Sequence, residues 1–414
     1  MTKNKNLYAI ALITSLFFLW GVALNLNPIL ITHLKKACEL NIRQSSLVDS
    51  ASYLAYFIFP IPAALFMRKY GYKGGILFGL ILFACGAFLF YPAAAVRNYP
   101  FFLCALFVLF SGAAFLETAA NPYITVLGDP ATATRRINFS QSFNGLAASL
   151  APIIGGVFIL SGKTLSPARR AGMTAGQLNT YLNKEASSVQ IPYLIIGLAV
   201  LAVAVLIFLK PLPEIIEDDK VEREGKRSYL HLTTGIVAQF FYVGAQAGVL
   251  GFFILFAERV AGFEEKTAAF YLAGATFCFM LGRFSGTFLM KYINPVKLLA
   301  IYSFTNMILL VLAVTLHDKF PVFALIGVAF FMSIMFPTIF SLSIRGLGSF
   351  TKIGSSFVIM AIVGGAVIPP IMGIIADKTN IQYAYLVPIV CFFYIFGFAY
   401  FNLKVKKVEM VAVH

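Results

Sequence analysis

The sequence predicts an all-α, polytopic membrane protein of twelve transmembrane helices in two pseudo-symmetric six-helix bundles. Three observations carry that prediction. Of 414 residues, 60% are hydrophobic and only 12% charged, about half the charge of a soluble domain. Apolar stretches recur at 7–34, 46–68, 73–96, 99–127, 136–162, 190–210, 230–257, 267–290, 295–316, 320–344, 353–376 and 381–404, close to the ~20 residues that cross a bilayer. One sustained hydrophilic run, KPLPEIIEDDKVEREGKR at 210–227, parts the sixth stretch from the seventh. The expected organisation is an N-terminal bundle at 1–210, a charged cytoplasmic linker at 211–229 and a C-terminal bundle at 230–414.

The chain starts MTKNKN and runs straight into apolar sequence without a small-residue cleavage site, so it reads as a retained first helix rather than a signal peptide. That helix carries Asn25, Asn27 and Pro28. Pro28 has no amide hydrogen, which leaves the Leu24 carbonyl unpaired. Trp20, the single tryptophan, is either a stacking platform or plain packing. The RKYGYK run at 68–73 is a short basic cytoplasmic turn, expected to serve topology and gating.

The fourth stretch holds Glu117, the one carboxylate that falls in the middle of an apolar run. A charge at that depth costs roughly 2.5–3.5 kcal/mol on insertion scales. It persists where the acid faces protein or water and binds a proton, a cation or a polar solute; the bland alternative is a structural acid paired to an amide. Asn121, one turn on, shares its face, and Pro122 loosens the helix and frees a carbonyl near Thr118. The fifth stretch places Asn138, Gln141 and Asn144 at i, i+3 and i+6. Each amide both donates and accepts, which suits vicinal hydroxyls; interhelical bonding is the alternative. The seventh repeats the pattern with Gln239, Tyr242 and Gln246, an aromatic face between two amides. Arg283 in the eighth is expected to snorkel toward the cytoplasmic interface or to act as a gate contact. His33, His231, His317 and His414 fall at predicted helix ends or in loops, so no buried proton-relay histidine is expected.

Lys and Arg are somewhat more frequent in the segments that would be cytoplasmic if the N-terminus is inside, although Lys35, Lys36, Arg43 and a long 163–189 loop load the outer side. An even helix count then puts both termini in the cytoplasm, in agreement with Lys404, Lys406 and Lys407. The halves look like copies: FFLWG at 17–21 matches FFYVG at 240–244, and Ser142-Phe143 with PIIG at 152–155 parallels Ser356-Phe357 with PIMG at 370–373. Parallel repeats of this kind place a solute site at their interface near the midplane.

Composition also excludes classes. The net charge of +15 lies in short loops with no basic stripe, so no nucleic-acid partner is indicated. The five cysteines are scattered without metal-ligand spacing, so neither a metal site nor a disulfide framework is expected, and no cofactor. A membrane-embedded enzyme would want a second acid, a buried histidine or an HExxH motif; a passive channel would not need proline-broken repeats. A drug or lipid exporter would have a mostly apolar cavity. The amides favour a neutral polyhydroxylated solute.

Together the motifs FFLWGVALNLN (17–27), LETAANP (116–122), NFSQSFN (138–144), AQFFYVGAQ (238–246), GRFSG (282–286) and FPTIFS (336–341) resemble sugar porters of the fucose/galactose/hexuronide type in the major facilitator superfamily. The L-fucose:proton symporter branch is nearest, over nearly the whole chain. That resemblance implies a non-enzymatic symporter that imports a monosaccharide with a cation, proton favoured and sodium possible, by alternating access. It also implies a multi-pass protein of the bacterial inner (cytoplasmic) membrane, working as a monomer. It assigns Glu117 to proton coupling, and Gln141 and Asn144 to the cavity; Asn25, Asn121, Gln239, Tyr242 and Gln246 are the further sugar-contact candidates, with Pro28, Pro122 and Arg283 as kink or gate positions. One departure stands out: the branch has an acid in the first helix where this chain has Pro28, and an Asn where it has Leu24. Coupling through Glu117 alone, sodium coupling or an uncoupled glucose/galactose-type carrier are then all open.

Overall fold

A computed structural model describes residues 2–41, 44, 47–159, 172–209, 212–213 and 225–411. Most of the expected linker at 211–229 lies outside the described residues, as do the side chains of Pro152, Lys406 and Lys407. Every regular element described is helical. The helices are α1 (Thr2–Asn25), α2 (Asn27–Ala37), α3 (Leu47–Ile58), α4 (Pro60–Ala95), α5 (Tyr99–Val126), α6 (Ala133–Phe158), α7 (Ala175–Ser187), α8 (Gln190–Leu209) and α9 (Gly225–Gly251). There follow α10 (Phe253–Ala261), α11 (Glu265–Leu289), α12 (Pro295–Thr315), α13 (Phe320–Met332), α14 (Met335–Ser343), α15 (Thr351–Met360), α16 (Gly364–Lys378), α17 (Ile381–Ala384) and α18 (Leu386–Val411).

Among the described residues nine helical segments are long and apolar enough to cross a membrane, and α9 with α10, bent by 50°, makes a tenth. Two further predicted stretches explain the difference from twelve. Leu47–Ala95 is a single apolar segment that contains both the second and the third. They meet at Gly71 (φ 70°, ψ 176°), a backbone conformation that only glycine adopts without strain. The fifth stretch is α6, whose amide-rich first half dilutes its hydropathy.

Proline marks the other breaks. Pro28 lies in the first turn of α2 and Pro60 opens α4, positions where a missing amide hydrogen costs least. The backbone bonds from Leu26 to Val22 and from Leu30 to Leu26 carry the chain across the first break. Around Pro122, inside α5, the Thr118 and Thr125 hydroxyls bond back to the Ala114 and Pro122 carbonyls. Both hydroxyls are buried and bond within their own helix, and neither reaches the Thr118 carbonyl that Pro122 leaves without its usual donor.

α7 was not expected: its residues fall in the predicted 163–189 loop. It starts with a capping box in which the Gln177 amide donates to Thr174 Oγ1 and the Thr174 amide donates to Gln177 Oε1, the reciprocal arrangement written by a T-x-x-Q sequence. It docks on α2 through Lys36 Nζ, 2.9 Å from Glu185 Oε1.

The chain divides into two compact units. One comprises Met1–Ala120 and Leu146–Glu214; the other comprises Asn121–Gly145 and Ile215–His414. The segment Asn121–Gly145, with the last turns of α5 and the first half of α6, thus groups with the later helices.

Within the first unit α4 and α5 cross with almost no side chain between them. A Cβ added at Gly112 would stand 2.3 Å from the Phe83 amide nitrogen and 2.8 Å from the Gly79 carbonyl oxygen. One added at Gly86 would stand 2.3 Å from the Leu109 nitrogen. Small residues allow this approach, and in lipid close van der Waals packing is a main source of helix association. Gly112→Val should therefore lower stability by about 1–3 kcal/mol, the usual cost of overpacking. Gly274→Ala, where nothing lies within 4 Å, should leave the melting temperature of the purified protein in detergent unchanged.

Candidate functional site

In the first unit Glu117 sits on α5 and is 6% exposed. It is not alone. The Tyr56 hydroxyl, on α3, donates to Glu117 Oε1 at 2.7 Å, and the Tyr56 ring meets Phe110 edge-on. A hydrogen bond to a charged acceptor is short and strong, so the pair holds the carboxyl in one place inside a helix bundle. Sequence reading missed Tyr56 because it lies 61 residues away and has the apolar look of its neighbours.

A second carboxylate escaped it too. Asp49, in the first turn of α3, accepts from Asn27 Nδ2 at 2.9 Å. Asn25, a predicted sugar contact, turns its Nδ2 back to the Gly21 carbonyl at 2.7 Å and is half-buried. Pro28 is exposed. Trp20 is 1% exposed with its ring 4.3 Å from that of Phe17, so packing is its role in this conformation.

His33, which the sequence places at a helix end, is a buried histidine. It lies within α2, is fully buried, and comes within 4.0 Å of Glu185 on α7. The missed helix α7 packs beside it.

In the second unit a chain of polar contacts links four elements. Gln141 Nε2, on α6, donates to Asn121 Oδ1 on the last part of α5 at 3.1 Å. Arg283, on α11, donates from Nη1 to the Gln141 main-chain carbonyl and from Nε to the Ser333 carbonyl, each at 2.8 Å. Its guanidinium lies 4.7 Å from the centre of the Phe279 ring and interacts electrostatically with Tyr242 on α9. Arg283 is 4% exposed, so it does not snorkel. Two carbonyls and a ring face give the planar guanidinium enough inward partners.

The remaining predicted residues of this unit divide by environment. Gln239 and Tyr242 are fully buried; among the described residues neither Gln239 amide atom has a hydrogen-bond partner, and the Tyr242 hydroxyl, beside the Arg283 guanidinium, has none in hydrogen-bond geometry. Asn121 Nδ2 and Asn138 Oδ1 are likewise unpaired, while Asn138 Nδ2 donates to the Thr134 carbonyl and to Thr338 Oγ1. Asn144 and Gln246 are half-buried, and Pro122 is buried.

Two measurements probe these contacts. Tyr56→Phe removes a hydrogen bond to a buried carboxylate and should destabilise the purified protein by about 1.5–3 kcal/mol; the loss should shrink in a Glu117→Gln background, where the acceptor is neutral, and a double-mutant cycle reads the difference. Arg283→Lys supplies a point charge without the fork, and a similar loss of about 1.5–3 kcal/mol is expected; a denaturation midpoint equal to that of the unaltered protein would contradict the assigned geometry.

The model of the Major Facilitator Superfamily matches residues 10–352. Among curated proteins, the chain is 43% identical over 404 residues to an L-fucose-proton symporter of Escherichia coli (strain K12), with 95% of this chain and 92% of the relative covered. It is 41% identical over 402 residues to a glucose/galactose transporter of Brucella abortus, with 95% and 94% covered. A crystal structure of the E. coli fucose:proton symporter FucP superposes with a TM-score of 0.88 at 41% identity, over 96% of this chain and 99% of that one. Twelve apolar stretches, an all-helical structure, and matches over nearly the whole length lead to one conclusion: the chain belongs to the Major Facilitator Superfamily.

Proposed function

We propose that this chain is a secondary active transporter that carries a monosaccharide inward with a proton by alternating access, as a multi-pass protein of a bacterial inner membrane. The observation that carries the reading is Glu117, a carboxyl held by Tyr56 at 2.7 Å in an otherwise uncharged helix, in a chain 43% identical to a fucose-proton symporter. Keeping a carboxylate there costs several kcal/mol, and a proton-binding role accounts for the cost. Glu117 is assigned the coupling proton. The sugar contacts assigned are Asn25, Asn121, Gln141, Asn144, Gln239, Tyr242 and Gln246, with Pro28, Pro122 and Arg283 as kink or gate positions.

Support for a neutral hydroxylated solute comes from the buried, unpaired amide atoms of Asn121 and Gln239 and from the Tyr242 hydroxyl. Each can donate to or accept from a sugar hydroxyl. They are closed off in the present conformation, so binding requires a second one. Sugar and proton must then favour the same conformers, because a ligand shifts an equilibrium only by its differential affinity. The hexose is either L-fucose or a glucose/galactose-type sugar; the 41% identity to a glucose/galactose transporter and Pro28 both favour keeping the second. The further assignments are a monomer, two six-helix domains at 1–210 and 230–414 with a linker at 211–229, and both termini in the cytoplasm.

Glu117→Gln tests the role. The amide oxygen still accepts from Tyr56 but binds no proton, so it imitates the protonated state. In proteoliposomes with an imposed pH gradient, accumulation of labelled L-fucose, galactose or glucose above equilibrium should vanish, while gradient-free counterflow of the same sugar continues. Undiminished uphill accumulation by the variant would refute the assignment.

A further inference from the structure

The contact between α2 and α3 in the first unit does more than join two helices. Asn27 is 8% exposed, and its Nδ2 donates to Asp49 Oδ1 at 2.9 Å. Its other amide atom, Oδ1, is buried without a partner among the described residues. Asp49 itself is exposed. A buried amide is thus aimed at an acid that solvent protons reach. An ionised Asp49 can only accept, so the Asn27 acceptor stays unmatched. A protonated Asp49 gains an O–H that the amide, once turned over, can accept. The pair therefore accommodates both protonation states.

Position along α3 supplies the second half of the argument. Asp49, Tyr53 and Tyr56 stand at i, i+4 and i+7, one face of a helix. They span about 10 Å at 1.5 Å per residue. Tyr56 ends that row on Glu117. Among the described residues the titratable group that feels the Asp49 charge is Tyr53 on α3 itself; α2 presents the neutral Asn27, and α4 presents none. A carboxylate in a first helical turn is also favoured by the helix dipole. That account requires neither a buried amide partner nor a hydroxyl row leading to a second acid.

We propose that Asp49 is a second proton-binding carboxyl, the entry point from which the coupling proton reaches Glu117 along the Asp49–Tyr53–Tyr56 face of α3. It rests on the proton-coupled reading above. The step is a proton transfer with no change in electron count. Asp49 loses its O–H bond, Tyr56 passes its hydroxyl proton to the Glu117 carboxylate, and Tyr56 regains a proton through Tyr53 and intervening water. The net change is one proton moved from Asp49 to Glu117.

The test uses the full chain in proteoliposomes with a pH-sensitive dye inside, adding L-fucose, galactose or glucose outside. Asp49→Asn keeps an acceptor for Asn27 and should melt like the unaltered protein, but the pH at which sugar-driven proton entry is half-maximal should move by at least about one unit, a tenfold change in proton occupancy. Asp49→Glu should restore the original profile. Tyr53→Phe, which keeps the ring, is the independent arm should Asp49→Asn fail to fold; it should slow proton entry several-fold without changing the sugar concentration for half-maximal uptake. Unaltered proton signals and pH profiles in a folded Asp49→Asn, or in Tyr53→Phe if that is the folded arm, would overturn the entry role while leaving proton symport intact. If the unaltered protein takes up sugar with no proton signal, the symport reading fails, and this proposal with it.

Discussion

The scarcity of water inside a membrane protein is the constraint on which the structure depends. A polar group there has only other protein groups to bond, and an unmatched one costs on the order of 1–3 kcal/mol. The hydrogen bond from Tyr56 to Glu117 answers that constraint for the most expensive group in the first unit. Arg283 answers it in the second with two main-chain carbonyls and a ring face. Both solutions fix helix to helix: α3 to α5 in one case, α11 to α6 and to the Ser333 segment in the other. Charged groups that are costly alone become the pins that set register between helices, because no alternative packing offers them the same partners.

The glycines and prolines act on the same constraint from the backbone side. Gly79, Gly86 and Gly112 remove side chains so that α4 and α5 touch main chain to main chain. In the second unit a Cβ at Gly364 would stand 2.1 Å from the Phe240 carbonyl oxygen, and one at Gly244 would stand 2.9 Å from the Gly364 carbonyl oxygen, so α9 and α16 use the same device. Prolines do the reverse: Pro28 and Pro122 withdraw a donor and leave helix carbonyls to other partners. Close to the first break the Asn25 side chain bonds the Gly21 carbonyl one turn back. Tight crossings next to loosened turns are what a helix pair needs if it is to pivot without separating.

Sequence alone was a good guide to whatever is local. Apolar length, the charged linker and the motif runs identify the fold and family, and Glu117 declares itself by charge in an apolar run. The T-x-x-Q cap of α7 was also local and could have been read; it was hidden inside a segment too polar to suggest a membrane helix. Partners were not legible. Tyr56 and Glu117 are 61 residues apart, Asn27 and Asp49 are 22 apart, and the Gln141 carbonyl that holds Arg283 is 142 away. Nothing in the periodicity of one helix states which neighbour it meets. For the same reason Arg283 was expected to snorkel or to gate, and His33 was expected at the end of a helix with nothing over it. Long side chains point wherever tertiary contacts satisfy them, and burial of a helix end depends on what later folds over it.

The surplus of unmatched amides bears on what the protein recognises. A buried guanidinium would ordinarily suggest an anionic solute, such as a sugar acid. Here Arg283 has given two of its donors to carbonyls and its face to Phe279, and Tyr242 stands beside it. A carboxylate would have to displace bonds that also hold α6 and α11 together. Among the described residues of this unit, groups with capacity to spare are neutral and include both amide atoms of Gln239, Asn121 Nδ2, Asn138 Oδ1 and the Tyr242 hydroxyl. Neutral donors and acceptors gain most from a solute that offers both in alternation, which is what adjacent sugar hydroxyls do. Electrostatics and hydrogen-bond accounting within this unit thus agree on an uncharged sugar, with the transported charge left to a proton.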